Sequence, residues 1–157
     1  MAATDDAVVE ALNELLTAEL TAINVYFVNA KLCESWGYAH LAKAMREASM
    51  EEMRDTETLM ERILGLEGLP NLQRLGNFHV GENPLEQLSL ALDIELGAAA
   101  LMRTAIEVSE EHHDFATVAL VGPMLLHEEE QAGWLRAQLE LAEQLGEQAY
   151  LAQQIRE

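Results

Sequence analysis

Apolar residues recur every three or four positions along four long stretches of the chain, the spacing of amphipathic helices. The first predicts a helix over about 5–35, opening at Thr4 or Asp5 and closing at Ser35, with Leu12, Leu15, Leu16, Ile23 and Phe27 in its inward stripe. Ser35-Trp36-Gly37-Tyr38 breaks it, and a second helix over 39–64 carries Leu41, Met45, Leu59 and Ile63 on one face. Asn83-Pro84, a capping residue followed by proline at the first helical position, opens a third helix over 83–112. A fourth, capped by Asp114, spans 114–145 and stops at Gly146, and a short fifth covers 147–154.

Residues 65–82 carry Gly65, Gly68, Pro70, Gly76 and Gly81, too many breaks for a helix and too many residues for a tight hairpin. Their Leu66, Leu69, Leu72, Leu75 and Phe78 are too apolar for a free linker. They predict a packed crossover running the length of a bundle. The chain therefore reads as one all-α domain over residues 1–157, a four-helix bundle with a long connection between helices two and three. Gly122-Pro123 falls inside the fourth helix, where proline removes the bond to the Ala119 carbonyl and should kink the chain.

Charge narrows the function. The sequence has 28 Asp plus Glu against 9 Lys plus Arg, a net charge of −19. Nucleic acid and anionic membranes are poor partners for such a surface, whereas cations are natural ones. Half of the residues are apolar, which excludes an acidic disordered chain. The lone Cys33 allows no internal disulfide and fits a reducing compartment. Met1 to Val9 lacks the basic and apolar segments of a secretory signal, and no stretch has the length of a membrane span, so a cytoplasmic location is expected.

The informative acids are those in apolar stripes, because a buried carboxylate is costly unless paired or bound to metal. Glu19 falls between Leu15, Leu16 and Ile23, and Glu95 falls in the series Leu88, Leu92, Met102, Ile106. On the second helix the same steps reach Glu52 and Asp55, and on the fourth Glu128 and Gln131. Each long helix thus aims one acid inward near its middle, and two helices add a second polar group one turn on. Carboxylate-bridged di-metal bundles are built this way, and hard oxygen donors suit iron or manganese.

Three segments make the resemblance specific: Glu-Leu-Thr-Ala-Ile-Asn-Val-Tyr-Phe (19–27), Met-Glu-Arg-Ile-Leu-Gly-Leu-Glu-Gly-Leu-Pro-Asn-Leu-Gln (60–73) and Ala-Tyr-Leu-Ala-Gln-Gln-Ile-Arg-Glu (149–157). They resemble bacterioferritin over essentially the whole chain. The resemblance implies a ferritin-like four-helix bundle with a short C-terminal fifth helix, assembled into a hollow 24-subunit shell that stores ferric mineral. It also implies haem b, one per two-fold dimer, and a reducing ferredoxin as electron donor. The family's di-iron ligands fall on Glu19, Glu52, Asp55, Glu95, Glu128 and Gln131. Its haem ligand falls on Met53, with Leu20, Ile23, Asn24, Phe27, Met50 and Arg54 around the pocket.

The chain departs from the family at two ligands. Asp55 and Gln131 stand where Glu-x-x-His motifs would place histidine. Aspartate is shorter than histidine and anionic, and the glutamine amide is a weak donor for iron. A metal-free site would crowd up to five acids, so weak metal binding and an impaired ferroxidase are expected. His127, adjacent to Glu128, points about 100° away around the helix and offers no obvious rescue. Met53, beside Glu52, faces outward, where it either packs in a subunit interface or ligates haem. Tyr26 and Trp134 fit core packing or an electron relay, and Glu47 and Glu51 fit a solvated face or an iron-collecting cavity.

Three functions follow from these residues. The first is a haem-carrying shell subunit with a degenerate ferroxidase site, working beside a ferroxidase-competent second subunit and passing electrons for iron release. The others are an active ferroxidase with an all-oxygen site and a purely structural shell subunit.

Overall fold

The computed structural model describes residues 3–156, with side chains from Asp6 onward; the predicted opening at Thr4 or Asp5 lies outside those described side chains. Five helices appear where the hydrophobic periodicity placed them: α1 Ala3–Trp36, α2 Ala39–Gly65, α3 Pro84–Glu111, α4 Phe115–Leu145 and α5 Glu147–Ala152. Their ends lie within two residues of the predicted bounds. The described residues contain no strand.

Cross-helix bonds fix the directions. Ser49 Oγ donates to the Ile23 carbonyl at 3.0 Å, pairing α1 antiparallel to α2. Cys33 Sγ contacts Gln87 Oε1 at 3.1 Å and the Tyr26 hydroxyl donates to Glu95, so α3 also runs antiparallel to α1. Helices α2 and α3 are therefore parallel, and residues 66–83 must travel the bundle's length to join them. This is the long-crossover topology.

Asn83 Oδ1 accepts the Glu86 N–H at 2.9 Å as the cap of α3, with Pro84 next. Asp114 caps α4 by accepting the Thr117 N–H at 3.0 Å, and it also pairs with Arg62 of α2 at 2.8 Å. Burial raises the Asp114 carboxyl, but the Thr117 bonds and the Arg62 charge outweigh this and hold it below its ordinary range. Replacing Asp114 by Ala removes the cap and leaves a half-buried guanidinium unpaired. The expected cost is about 2–3 kcal/mol, read as a drop of roughly 5–10 °C in Tm at matched protein concentration.

Two expectations change. Phe27 is not in the core: it is 51% exposed, and the inward stripe of α1 continues through Ala22, Tyr26, Ala30 and Cys33. Leu66 packs against the core at the start of the crossover, but beyond it polar bonds rather than leucines hold the segment. Asn13 pairs with the Leu69 carbonyl and the Asn71 N–H, Gly76 N–H donates to Thr21, and Arg74 pairs with Glu14 at 2.7 Å. Leu69, Leu72 and Leu75 point outward, Leu69 at 81% exposure. Pro123 lies inside the span of α4.

The core falls into two apolar clusters. One contains Val8, Leu12, Leu16, Leu59, Ile63, Met102 and Val121; the other contains Ala22, Tyr26, Leu41, Met45, Leu88, Leu135 and Tyr150. Glu19, Glu52, Glu95 and Glu128 each lie, along their own helices, between residues of the two clusters. An acidic layer therefore crosses the middle of the bundle.

Candidate metal centre

Each long helix contributes one glutamate to this layer, and all four are exposed by 5% or less. Oxygens of Glu19, Glu52, Asp55 and Glu128 come within 4.8 Å of one another. Both oxygens of Glu19, and one each of Glu52, Glu95 and Glu128, are buried without a hydrogen-bond donor. Buried carboxylate oxygens are ordinarily satisfied. A multivalent cation would satisfy this set, and hard oxygen donors suit ferrous or ferric iron. The residues fit a metal.

The set is lopsided. Glu95 stands outside the mutually close quartet, with one oxygen accepting the Tyr26 hydroxyl and its carboxyl also beside Glu52. Gln131 is half-buried and stands beside the Tyr26 hydroxyl, offering no charge. The structure thus gathers Glu19, Glu52, Asp55 and Glu128 tightly, and ties Glu95 to a tyrosine with Gln131 beside it.

Without metal, protons supply the missing positive charge. Burial, with Asp55 and Glu95 nearby, pushes Glu19 up to about 7. Burial likewise pushes Glu95 to about 7, despite hydrogen bonds from Tyr26 and Glu52. Glu52, between Glu19 and Glu95, is raised well above the ordinary carboxylate range by burial and by its acidic neighbours. Asp55 is raised by burial and by Glu51, against the pull of His127 and Arg54. Tyr26 is raised well above 10 by burial and by Glu95, so it stays protonated as a donor.

A pH dependence follows. From the ordinary 4.5 up to about 7 the folded chain holds protons on Glu19 and Glu95 that the unfolded chain has released. The stability of the chelator-treated protein should therefore fall as pH rises through that window and level off above it. Glu19→Gln should flatten the decline, with thermal midpoints measured at pH 5.5 and pH 7.5. Equal slopes in the two proteins would contradict it.

Around the layer, His127 Nδ1 lies 3.6 Å from Glu51 Oε2 and both side chains are about half exposed, so the imidazole sits outside the quartet. Glu47, Glu51, Gln131 and Trp134 line one hollow of about 290 Å³.

The opposite side of α2 has different chemistry. Glu52 is 5% exposed and Met53, the next residue, is 48% exposed. Met50 is also exposed, with Phe27 on α1. Leu20 and Ile23 are half-buried, Arg54 is exposed, and the Asn24 amide turns back to the Leu20 carbonyl at 2.8 Å. An exposed soft thioether, with exposed Met50 on its own helix and Phe27 on α1, is no site for a hard ion. It fits a haem, whose iron accepts sulfur and whose macrocycle needs an apolar bed.

Sequence reasoning missed the Tyr26 link to Glu95 and Gln131, because helical periodicity assigns a face but not the partner across the bundle. It named Arg54 but missed Lys43 and Arg46 near Phe27 and Met50, although three of the nine basic positions falling within 43–54 was a legible signal.

A bundle with one long crossover and an acid from each helix at its middle belongs to the class of carboxylate-cluster metal proteins. The comparisons sharpen that class. Residues 9–145 match the ferritin-like domain family. The chain is 45% identical to a bacterioferritin of Streptomyces coelicolor over 94% of its length and 89% of the relative's. It is 42% identical to one of Mycobacterium leprae over 95% and 94%, and 37% identical to one of Brucella melitensis over 91% and 89%. The chain belongs to the bacterioferritins, ferritin-like iron-storage proteins that assemble into multimeric shells. No helix among the described residues is long and apolar enough to cross a membrane.

Proposed function

We propose that this chain is the haem-carrying subunit of a 24-subunit cytoplasmic shell, and that its own site oxidises ferrous iron poorly. The observation that carries this reading is the composition of the mid-bundle quartet. It has four carboxylates and no imidazole, while Glu95 and Gln131 are engaged by Tyr26. Iron enters as cargo. The quartet holds one ion, with Glu52 giving up its proton as the ion arrives. A second ion would have to displace Tyr26 from Glu95 and accept a neutral amide from Gln131. Oxidation that draws an electron from each of two neighbouring ions is therefore slow.

Redox function passes to the outer strip. Met53, with Leu20, Ile23, Phe27 and Met50 around it, would hold a haem together with its counterpart in a second chain, and that group would supply one-electron exchange. The apolar side chains would exclude water from it. Paired with a second bacterioferritin subunit that oxidises iron well, the chain would serve iron release, with a reducing ferredoxin as donor. The quartet's close convergence also supports a second reading, an active ferroxidase with oxygen donors alone.

Isolation of the tagged chain from its native cells separates these readings. The first expects co-purification of a second subunit type, with fast oxidation lost when this chain is assembled alone. A shell of this chain alone that oxidises iron as fast as the mixed shell would defeat it.

A further inference from the structure

The strip around Met53 is bordered by an unusual concentration of cations. The chain has nine basic residues, and four of them, Lys31, Lys43, Arg46 and Arg54, lie on this side of α1 and α2. Lys31 is paired with Glu34 at 3.6 Å, and Arg54 with Glu51 at 4.0 Å. Among the described residues, Lys43 and Arg46 have no carboxylate within 4.0 Å. In a protein of net charge −19, two free cations side by side on one helix turn are unusual.

Their place is specific. Lys43 and Arg46 form the wall between two hollows, one of about 430 Å³ floored by Phe27 and one of about 530 Å³ floored by Met50. Arg46 precedes Met53 by two helical turns, about 10 Å along the axis at about 1.5 Å per residue. A thioether, an apolar bed and, two turns away, a pair of free cations match a flat apolar ligand with a metal at its centre and anions at its edge. Guanidinium and ammonium groups are the ordinary partners of carboxylates. Glu47 borders the second hollow but also lines the separate one beside Trp134, so its charge is shared with that side.

We propose that Lys43 and Arg46 clamp the propionate carboxylates of the haem, selecting a dicarboxylate porphyrin over a neutral one. The inference rests on the haem reading above. The clamp adds what Met53 and the apolar strip cannot: it distinguishes the edges of the macrocycle and so fixes its orientation.

Haem-free shells of the chain titrated with haemin and with haemin dimethyl ester, followed by absorbance, test the clamp. The native chain should bind the free acid about ten-fold or more tightly than the ester. The double variant Lys43→Gln/Arg46→Gln should lose that preference through weaker binding of the free acid, while its Soret position and ester affinity stay unchanged. Lys43→Arg/Arg46→Lys should keep the preference, which guards against a merely misfolded variant. If the glutamine variant keeps the full preference, the clamp is wrong and the haem reading stands. If the native chain binds neither form at one per two chains, both fall.

Discussion

Introducing Asp55→His together with Gln131→His is expected to raise the initial rate of ferrous iron oxidation by at least about 10- to 100-fold, the scale on which even the groups that support a metal's ligands act. The first change replaces a short anion within the quartet by a neutral donor of longer reach. That lowers the crowding that keeps protons on Glu19 and Glu52, so metal competes with fewer protons. The second gives the Glu95 side of the layer an imidazole in place of an amide directed at Tyr26. With a donor there, two ions can sit together and share the electrons that oxygen requires. Single changes should fall well short of the pair, because each repairs only one end of the centre. Stopped-flow absorbance of the ferric product at two ferrous ions per chain gives the comparison. No gain in the double variant would mean the oxygen-only site already works, and the chain would be a ferroxidase in its own right.

Met53→Leu is expected to abolish stoichiometric haem binding, with loss of the Soret band after reconstitution and no change in shell assembly. Leucine keeps the apolar strip with Phe27 and Met50 but has no sulfur to give the iron. The quartet lies on the other side of α2, so the initial oxidation rate should not change. That separation follows from helix geometry: Glu52 and Met53 are neighbours in sequence and about 100° apart around α2. Retention of one haem per two chains in the leucine variant would make Met53 an interface residue and leave a shell subunit without this redox role.

How much of this was legible in the chain depends on which interaction decides each residue's place. The four inward glutamates were readable because a stripe of apolar residues admits an acid only at a cost, and each interruption fell at mid-helix. Phe27 shows where such reading drifts. Counting at 100° per residue, two steps of four from Glu19 reach Phe27 about 80° off the inward direction. Steps of three, four and four through Ala22, Tyr26 and Ala30 stay within about 60° of it. The outward position of Phe27 is also what the haem strip requires, so the expectation for the pocket and the one for the core were in conflict from the start. The crossover leucines illustrate a different limit. Apolar residues there signalled burial, yet a bond donated by Asn13 to the Leu69 carbonyl and one accepted by Thr21 from the Gly76 N–H fasten the segment while Leu69 and Leu72 face outward. Sequence shows that such residues call for a covering surface but not whether it lies in the same chain or in a neighbour. The split of the acid layer was beyond reach for a third reason. Periodicity put Glu95 and Gln131 inward, but only the relative heights of α1, α3 and α4 place Tyr26 between them.

In the proposed function this layer holds one metal ion where a working oxidation centre needs two. Anaerobic titration of the iron-free, haem-loaded shell with ferrous iron, followed by calorimetry at pH 7, counts them directly. Saturation is expected at one ion per chain with release of protons from the quartet. Two tightly bound ions per chain would contradict it.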